Sequence, residues 1–294
     1  MKKLFPILVL LIANIQFSLA QTVTIAAARA QGAGAVVTVE GIVLNSIELG
    51  NVIRYIQDGT GAMALYGNNI GGAAPGMLVR ATGTLVNYRG ICEMTPVSAY
   101  TSLSSGNPLP APILGTPADV TETNEGKQVT IPNCTFVATG NFTYNAGGYV
   151  VNSGGQSFTV FFRNGHPLLN TPIPTLPISL TGIVSQFDAA ATDFNALGAG
   201  YQLLPRTSAD FAGFFITSSV AQSNTTASSF NISWQSNLTG LGGAKYTLPN
   251  GTTGFLTSAA AGTTHSLSFS GLQPADIVKC KAYAVKQGRH YALA

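Results

Sequence analysis

Apolar and polar residues alternate with a period of two along five short runs between Gly34 and Val97. The runs are AVVTVEGIVLN, VIRYIQ, AMALYG, MLVRATGTLVNY and ICEMTPV. This period indicates β-strands that each bury one face. The segment NNIGGAAPG, between the third and fourth runs, is the only excursion from the strand pattern besides short turns. We therefore predict a five-stranded barrel with one longer connection at that point.

The same order of runs returns later in the chain with weaker identity. It reads KQVTIPNCTFVATG, GYVVNS, QSFTVFFR, PISLTGIVSQF and GYQLLPRTSADF. Thr82-Gly83 in the fourth run of the first copy corresponds to Thr181-Gly182 in the second. The recurrence predicts a tandem duplication of an OB-like barrel. The Pro-rich segment SSGNPLPAPILGTPADV between the copies predicts an extended linker.

Beyond residue 212 the pattern becomes that of an immunoglobulin-like or fibronectin type III-like sandwich. Trp234 stands at the centre of the strand-like run FNISWQSN, and Leu272 and Pro274 separate two runs in HSLSFSGLQPADIVKCKAYAV. Val278 occupies the position after this turn where such domains usually carry a tyrosine, and little sequence remains for a last strand. The predicted sandwich therefore has a very short final strand or is incomplete.

Residues 1–20, MKKLFPILVLLIANIQFSLA, have two lysines, an apolar run and small residues at the end. This is the pattern of a secretory signal peptide cleaved before Gln21, and the apolar run is shorter than the ~20 residues of a membrane span. We expect an exported protein, located in the periplasm, on the cell surface or in the medium. The predicted all-β organisation is a signal peptide at 1–20, a first OB-like domain at 21–104, a linker at 105–117, a second OB-like domain at 118–212 and a fibronectin III-like sandwich at 213–294.

Charge and cysteine content narrow the functional classes. Only 9% of residues are charged, and residues 21–212 carry seven basic and ten acidic side chains, a net charge of −3. A strong phosphate-backbone binder concentrates lysine and arginine on its surface, and these two domains do not. Cys92, Cys134 and Cys280 are odd in number and far apart. They predict free or buried thiols rather than a disulfide framework.

Motifs for catalysis or metal binding are missing from the sequence. His166, His265 and His290 are followed by Pro-Leu, Ser-Leu and Tyr-Ala, which is not the His-x-Lys of phospholipase D-type enzymes. No Gly-x-Ser-x-Gly elbow and no paired histidines for zinc occur. GLGGAKYT lacks the glycine that a phosphate loop needs before its lysine, and Asp188 and Asp193 lack the spacing of a calcium loop. We expect no catalytic residue, no metal and no cofactor.

The segment RYIQDGTGAMALY predicts a hairpin closed by Asp58 to Gly61. Its register pairs Gln57 with Ala62, Ile56 with Met63, Tyr55 with Ala64, and Ile53 with Tyr66. Alternation then sends Ile56, Met63 and Leu65 into the core and Tyr55, Gln57 and Tyr66 to the outer face. OB folds use this strand surface for oligonucleotides or sugars. Two roles stay open for the outer tyrosines: packing against a neighbouring domain, and contact with a ligand.

The candidate ligand-binding residues extend this outer face. They are Tyr55, Tyr66 and Gln57, then Arg54, Tyr88 and Arg89 at its border, and Phe161 and Arg163 on the corresponding strand of the second copy. The expected partners are single-stranded nucleic acid or, second, a glycan, bound weakly because no basic groove is present.

The segments VTVEGIV, RYIQDGTGAMALYG and LVRATGTLVNYRGICEM together resemble OB-like modules at the N-termini of secreted bacterial proteins. Those proteins include extracellular endonucleases and phospholipase D-type phosphodiesterases. The resemblance covers residues 22–212 as two copies, the first closer than the second, and 214–294 is similar to the sandwich domains that often follow. It implies that catalysis resides in a further domain, and it carries no catalytic residue onto this chain.

Three functional hypotheses follow. The leading one is a secreted, non-catalytic modular protein whose OB-like domains bind or position an extracellular polymer. The alternative is the N-terminal, non-catalytic part of a secreted nuclease or phospholipase D-type phosphodiesterase. The third is a structural spacer at the cell surface.

Overall fold

The computed structural model describes residues 21–212, 218–286 and 289–292, with side chains up to residue 282 except 237 and 238. The predicted signal peptide, 1–20, lies outside this range. Across the described residues the fold is all-β, as predicted, with two closed five-stranded barrels and a third, curled sheet. None of the described helices is long and apolar enough to cross a membrane.

The first barrel is formed by residues 22–104. Its elements are β1 (Thr22–Val23), α1 (Ile25–Arg29), β2 (Val36–Val43), β3 (Ile53–Gln57), β4 (Ala62–Tyr66), β5 (Leu78–Tyr88) and β6 (Ile91–Ser104), with 3-10 turns at 47–49 and 68–70. Hydrogen bonding follows the order β2-β3-β4-β6-β5 and returns from β5 to β2, with β4 and β6 parallel. Thr24 caps α1, whose Ile25 and Ala28 pack into the barrel core.

The second barrel repeats this connectivity. Its elements are β7 (Ile113–Leu114), β8 (Gln128–Phe136), β9 (Tyr149–Ser153), β10 (Gln156–Val160), β11 (Ile178–Gln186), β12 (Tyr201–Leu204) and β13 (Phe211–Ala212), with 3-10 turns at 117–119, 122–124 and 208–210. The barrel closes in the order β8-β9-β10-β12-β11, from β11 back to β8, and β10 and β12 are parallel. Part of the Pro-rich segment, β7, pairs with β8.

The matching Thr-Gly dipeptides have the same structural role in both barrels. Thr82 Oγ1 lies 2.8 Å from Thr38 Oγ1 across β5 and β2, and Thr181 Oγ1 lies 2.7 Å from Thr130 Oγ1 across β11 and β8. The glycine that follows each threonine sits where a Cβ would overlap the wall of the barrel. The overlaps are with Pro96 and Met94 at Gly83, and with Leu203 and Leu204 at Gly182. The duplication is thus visible in hydrogen bonding and in close packing.

The third region forms one curled sheet. Its strands are β14 (Ala221–Ser223), β15 (Ser229–Thr247), β16 (Thr253–Ser270), β17 (Lys279–Lys286) and β18 (Arg289–Ala292), in the order β14-β15-β17-β18 with β16 also paired to β15. Trp234, Ile232, Leu267 and Phe269 lie in its small core. The GLGGAKYT segment lies within β15, so it is a strand and not a phosphate-binding loop.

Candidate binding cleft between the barrels

The hairpin of the first barrel has the predicted register. Gln57, Ile56, Tyr55 and Ile53 pair with Ala62, Met63, Ala64 and Tyr66, respectively. Asp58 Oδ1 accepts hydrogen bonds from the backbone N–H groups of Thr60 and Gly61, at 2.7 and 2.8 Å, which stabilises the turn. Ile56, Met63 and Leu65 lie in the barrel core, as predicted.

The outer face of this hairpin is covered by the second barrel. Tyr55 is fully buried in a cluster that joins both barrels and consists of Leu44, Leu49, Ile53, Tyr55, Ala64, Ile91, Ile183 and Leu204. Tyr55 Oη lies 3.0 Å from Ser185 Oγ of the second barrel. Burial raises the pKa of Tyr55 to about 12, although the bond with Ser185 opposes this. Of the two roles left open for Tyr55, the structure supports packing, and the ring is inaccessible to a polymer.

Arg54 is a correction to the candidate set, because its side chain is fully buried. Nε donates to Ala73 O at 2.9 Å and Nη1 donates to Ile53 O at 2.7 Å. The guanidinium therefore binds backbone carbonyl groups and does not face a ligand. Burial lowers its pKa, against the opposing effect of Glu48. Arg54 has the same parity as Ile56 along β3, so strand alternation already directs it inward.

A buried ionic group also joins the barrels. Arg29 of α1 donates to Glu122 Oε1 at 2.6 Å and to Glu125 Oε1 at 2.8 Å. Glu125 Oε1 also accepts a hydrogen bond from the backbone N–H of Cys92, at 3.0 Å. This bond links Glu125 of the second barrel to the first barrel. Burial and the neighbouring Glu125 raise the pKa of Glu122 to about 7, although Arg29 opposes this. The sequence did not predict this interface, because no local pattern links charged residues that are more than ninety positions apart.

A cleft of about 460 Å³ opens beside this interface and is lined by both barrels. The first barrel contributes Tyr88 and Ile91, and the second contributes Tyr144, Phe161 and Arg163, among others. The exposed fractions of Tyr88 and Tyr144 are 47% and 53%. The rings of Tyr144 and Phe161 meet edge to face, with centroids 6.5 Å apart. Three candidates from the sequence, Tyr88, Phe161 and Arg163, therefore come together here.

The remaining candidates divide between the cleft and other surfaces. Arg89 lies at the cleft edge, where its guanidinium carbon stands 4.8 Å from the ring centroid of Phe187, a lining residue that is 54% exposed. Tyr66 is exposed and Gln57 is half-buried, but neither lines this cleft. Phe161 and Arg163 lie just beyond β10, which ends at Val160, and not within the strand as predicted. Tyr144 and Phe187 also lie outside strands and were not among the predicted residues.

The two arginines at the cleft differ from the other bases of the barrels. Five of the seven basic side chains in residues 21–212 have polar partners: Arg29, Arg54, Arg80, Lys127 and Arg206. Arg89 and Arg163 make no side-chain hydrogen bond or ion pair within the described part of the chain, and Arg163 Nε is buried without an acceptor. The cleft therefore has two guanidinium groups available to an anion.

Glu93 interacts electrostatically with Arg163 and lies in a row with Ala64 and Tyr55 across the covered face. It is 5% exposed and accepts no hydrogen bond from the described residues. Burial raises its pKa from 4.5 to about 7, and the charge of Arg163 opposes the shift.

We expect Glu93 to make the free energy of unfolding depend on pH. Its pKa is higher in the folded chain than in the unfolded one, so its stabilising contribution is complete below about pH 4.5 and is lost as pH rises through about 7. The loss is on the order of 2 to 3 kcal/mol. Chemical denaturation from pH 4 to 8 should give a flatter profile for Glu93→Gln than for the wild type. Glu122, whose pKa is also raised to about 7, is present in both the wild type and Glu93→Gln and contributes equally to the two profiles. Identical profiles would therefore contradict a contribution of Glu93 to the pH dependence.

Other candidate chemistry in the chain is structural. Asp188 and Asp193 accept backbone N–H groups of their own loop, and no group of three or more metal-ligating side chains occurs in the described ranges. Ser236 Oγ lies 2.7 Å from His265 Nε2, but both residues are buried and His265 Nδ1 has no hydrogen-bond partner in that part of the structure. A serine and histidine without solvent access cannot meet a substrate. Cys92 and Cys134 are buried free thiols, and Cys280 is an exposed one.

Comparisons with known proteins do not show a family for this chain. No protein-family model and no curated protein matches the chain. Among solved structures, the fibronectin domains FN1–FN3 of chicken CNTN1 match with a TM-score of 0.21 and 9% identity, over 74% of this chain and 75% of that one. A match at that TM-score supports no conclusion about function. The chain is thus an all-β protein of two closed barrels and a curled sheet, with a ring-lined cleft where the barrels meet.

Proposed function

We propose that the protein is a secreted, non-catalytic modular protein whose paired barrels bind or position an extracellular polymer, single-stranded nucleic acid first and oligosaccharide second. The observation that carries this proposal is the cleft between the barrels. It combines exposed rings, Tyr88, Tyr144 and Phe187, with the unpaired guanidinium groups of Arg89 and Arg163. A base of a single strand stacks on such a ring, and arginine pairs with a phosphate of the strand.

The charge balance limits the strength and the salt dependence of binding. Residues 21–212 have a net charge of −3, and five of their seven basic side chains are already paired. Each phosphate neutralised on a single strand contributes about −0.7 to the slope of log K against log salt. Two arginines therefore give a slope of about −1.4 and a modest affinity.

Binding should depend on the rings of the cleft. We expect residues 21–294 to bind short single-stranded DNA or RNA in fluorescence anisotropy, and Tyr88→Ala with Tyr144→Ala to weaken binding by about 1 to 3 kcal/mol for each stacked base. Tyr66→Ala is the matched control, because Tyr66 is similarly exposed, at 43%, but lies away from the cleft. A glycan panel tests the second polymer class. Equal affinities for the double variant and the control would contradict a role for the cleft.

The spacer hypothesis has one specific observation in its favour. The strand face that OB folds use for ligands is covered in the first barrel, where Ile53, Tyr55 and Ala64 pack against the second barrel. Barrels that pack against each other in this way hold a fixed relative position, as a spacer requires. If no nucleic acid and no glycan binds at low salt, the spacer becomes the better account.

A further inference from the structure

We infer that the cleft holds a single nucleotide unit, with its phosphate on Arg163 and its base against the rings of Tyr144 and Phe161. This inference rests on the proposed function and makes it more specific: it names the repeating unit that is gripped and the residue that grips it. The site lies between the barrels and not on the covered hairpin face.

The size of the cleft favours one unit over a continuous strand. Its volume of about 460 Å³ falls in the range of roughly 300 to 1,000 Å³ that is typical of pockets for small molecules. Side chains from both barrels line it, Tyr88 and Ile91 on one side and Phe161 and Arg163 on the other. The two walls therefore enclose a monomer, and neighbouring units of a chain lie outside.

The charge of Arg163 selects an anion. Its guanidinium has no hydrogen bond or ion pair with a described residue, and its Nε is buried without an acceptor. Buried donors in native proteins almost always have a partner, so an acceptor from a ligand would complete the site. The planar fork of arginine fits two oxygens of a phosphate at once. Glu93, the carboxyl that interacts with Arg163 electrostatically, is buried and makes no ion pair with it in the described structure.

The rings select the other half of the ligand. Tyr144 and Phe161 meet edge to face, and Phe187 already has a planar guanidinium, that of Arg89, over its ring. Flat aromatic faces stack planar bases irrespective of sequence. A nucleotide carries a planar base and an anion in one unit, whereas a neutral sugar supplies no anion for Arg163. The combination therefore favours nucleic acid over a neutral glycan.

Calorimetry on residues 21–294 with a nucleoside monophosphate, the matching nucleoside and inorganic phosphate tests the inference. We expect the monophosphate to bind about 10- to 100-fold more tightly than the nucleoside, which is the range for charge-assisted hydrogen bonds. Arg163→Gln should abolish this difference, and Arg163→Lys should restore part of it because the charge returns without the fork. Arg80→Gln is the matched control, since Arg80 pairs with Glu40 outside the cleft.

The outcomes separate this inference from the proposed function. If the wild type binds oligonucleotides and Arg163→Gln binds both oligonucleotides and the monophosphate as tightly, the inference is overturned and the proposed function stands. If the monophosphate binds through Arg163 but no polymer binds, the proposed function fails and the nucleotide pocket remains. Tighter binding of an anionic oligosaccharide than of any nucleotide overturns the choice of ligand. A thermal melt of each variant identifies any that fails to fold, and Arg163→Lys then carries the test.

Discussion

Replacing Arg29 by alanine is expected to lower the free energy of unfolding by about 3 to 5 kcal/mol, the usual cost of removing one partner of a buried ion pair. Arg29 lies between Glu122 and Glu125 at the junction of the barrels, and Glu125 is 3% exposed. Without the guanidinium, the buried carboxylate of Glu125 has no counter-charge. Urea denaturation of the wild type and the variant measures the loss.

Two comparisons make this prediction specific. Arg80→Ala removes an exposed ion pair with Glu40, and it should cost no more than about 1 kcal/mol. Burial already raises the pKa of Glu125, against the opposing charge of Arg29. In the Arg29 variant this carboxyl should therefore protonate more readily, and the loss of stability should be smaller at pH 5 than at pH 8. A loss no larger than that of Arg80→Ala would contradict the buried role of Arg29.

Tyr55→Ala should destabilise the protein by a similar amount, about 3 to 5 kcal/mol, because it removes a large ring from a fully buried cluster. Tyr55→Phe keeps the ring and loses only the bond with Ser185, so it should cost about 1 kcal/mol. Chemical denaturation monitored by circular dichroism gives the free energy of unfolding of the wild type and of both variants.

Tyr66→Ala provides the control on the same hairpin. Tyr66 is 43% exposed and belongs to the face on which the sequence also places Tyr55. Its replacement should change the free energy of unfolding by no more than about 0.5 kcal/mol. Equal effects at Tyr55 and Tyr66 would mean that the second barrel does not cover the hairpin in solution.

Much of the barrel architecture was predictable from the sequence. Side chains of a strand alternate between its two faces, so alternation assigned Ile56, Met63 and Leu65 to the core. The turn-forming residues Asp58 to Gly61 placed the turn. The repeat of Thr-Gly located the second barrel, because the closing strands of both barrels need a small residue at the same point.

The candidate site was predicted only in part, for physical reasons. Alternation separates inward from outward but does not distinguish solvent from a neighbouring barrel, so Tyr55 could not be assigned to one role. Arg163 and Phe161 were identifiable because an arginine beside two phenylalanines stands out in the sequence, whereas Tyr144 and Phe187 have no such neighbours. The ionic group of Arg29 depends on residues more than ninety positions apart, which no local pattern connects.

The covered hairpin has an evolutionary consequence. Each barrel buries an apolar part of the other, since the cluster around Tyr55 includes Ile183 and Leu204 from the second copy. A gene fragment that ended in the Pro-rich segment would encode a first barrel with an exposed apolar patch. We therefore expect the two barrels to be inherited together, because either one alone would expose its part of this apolar cluster to water.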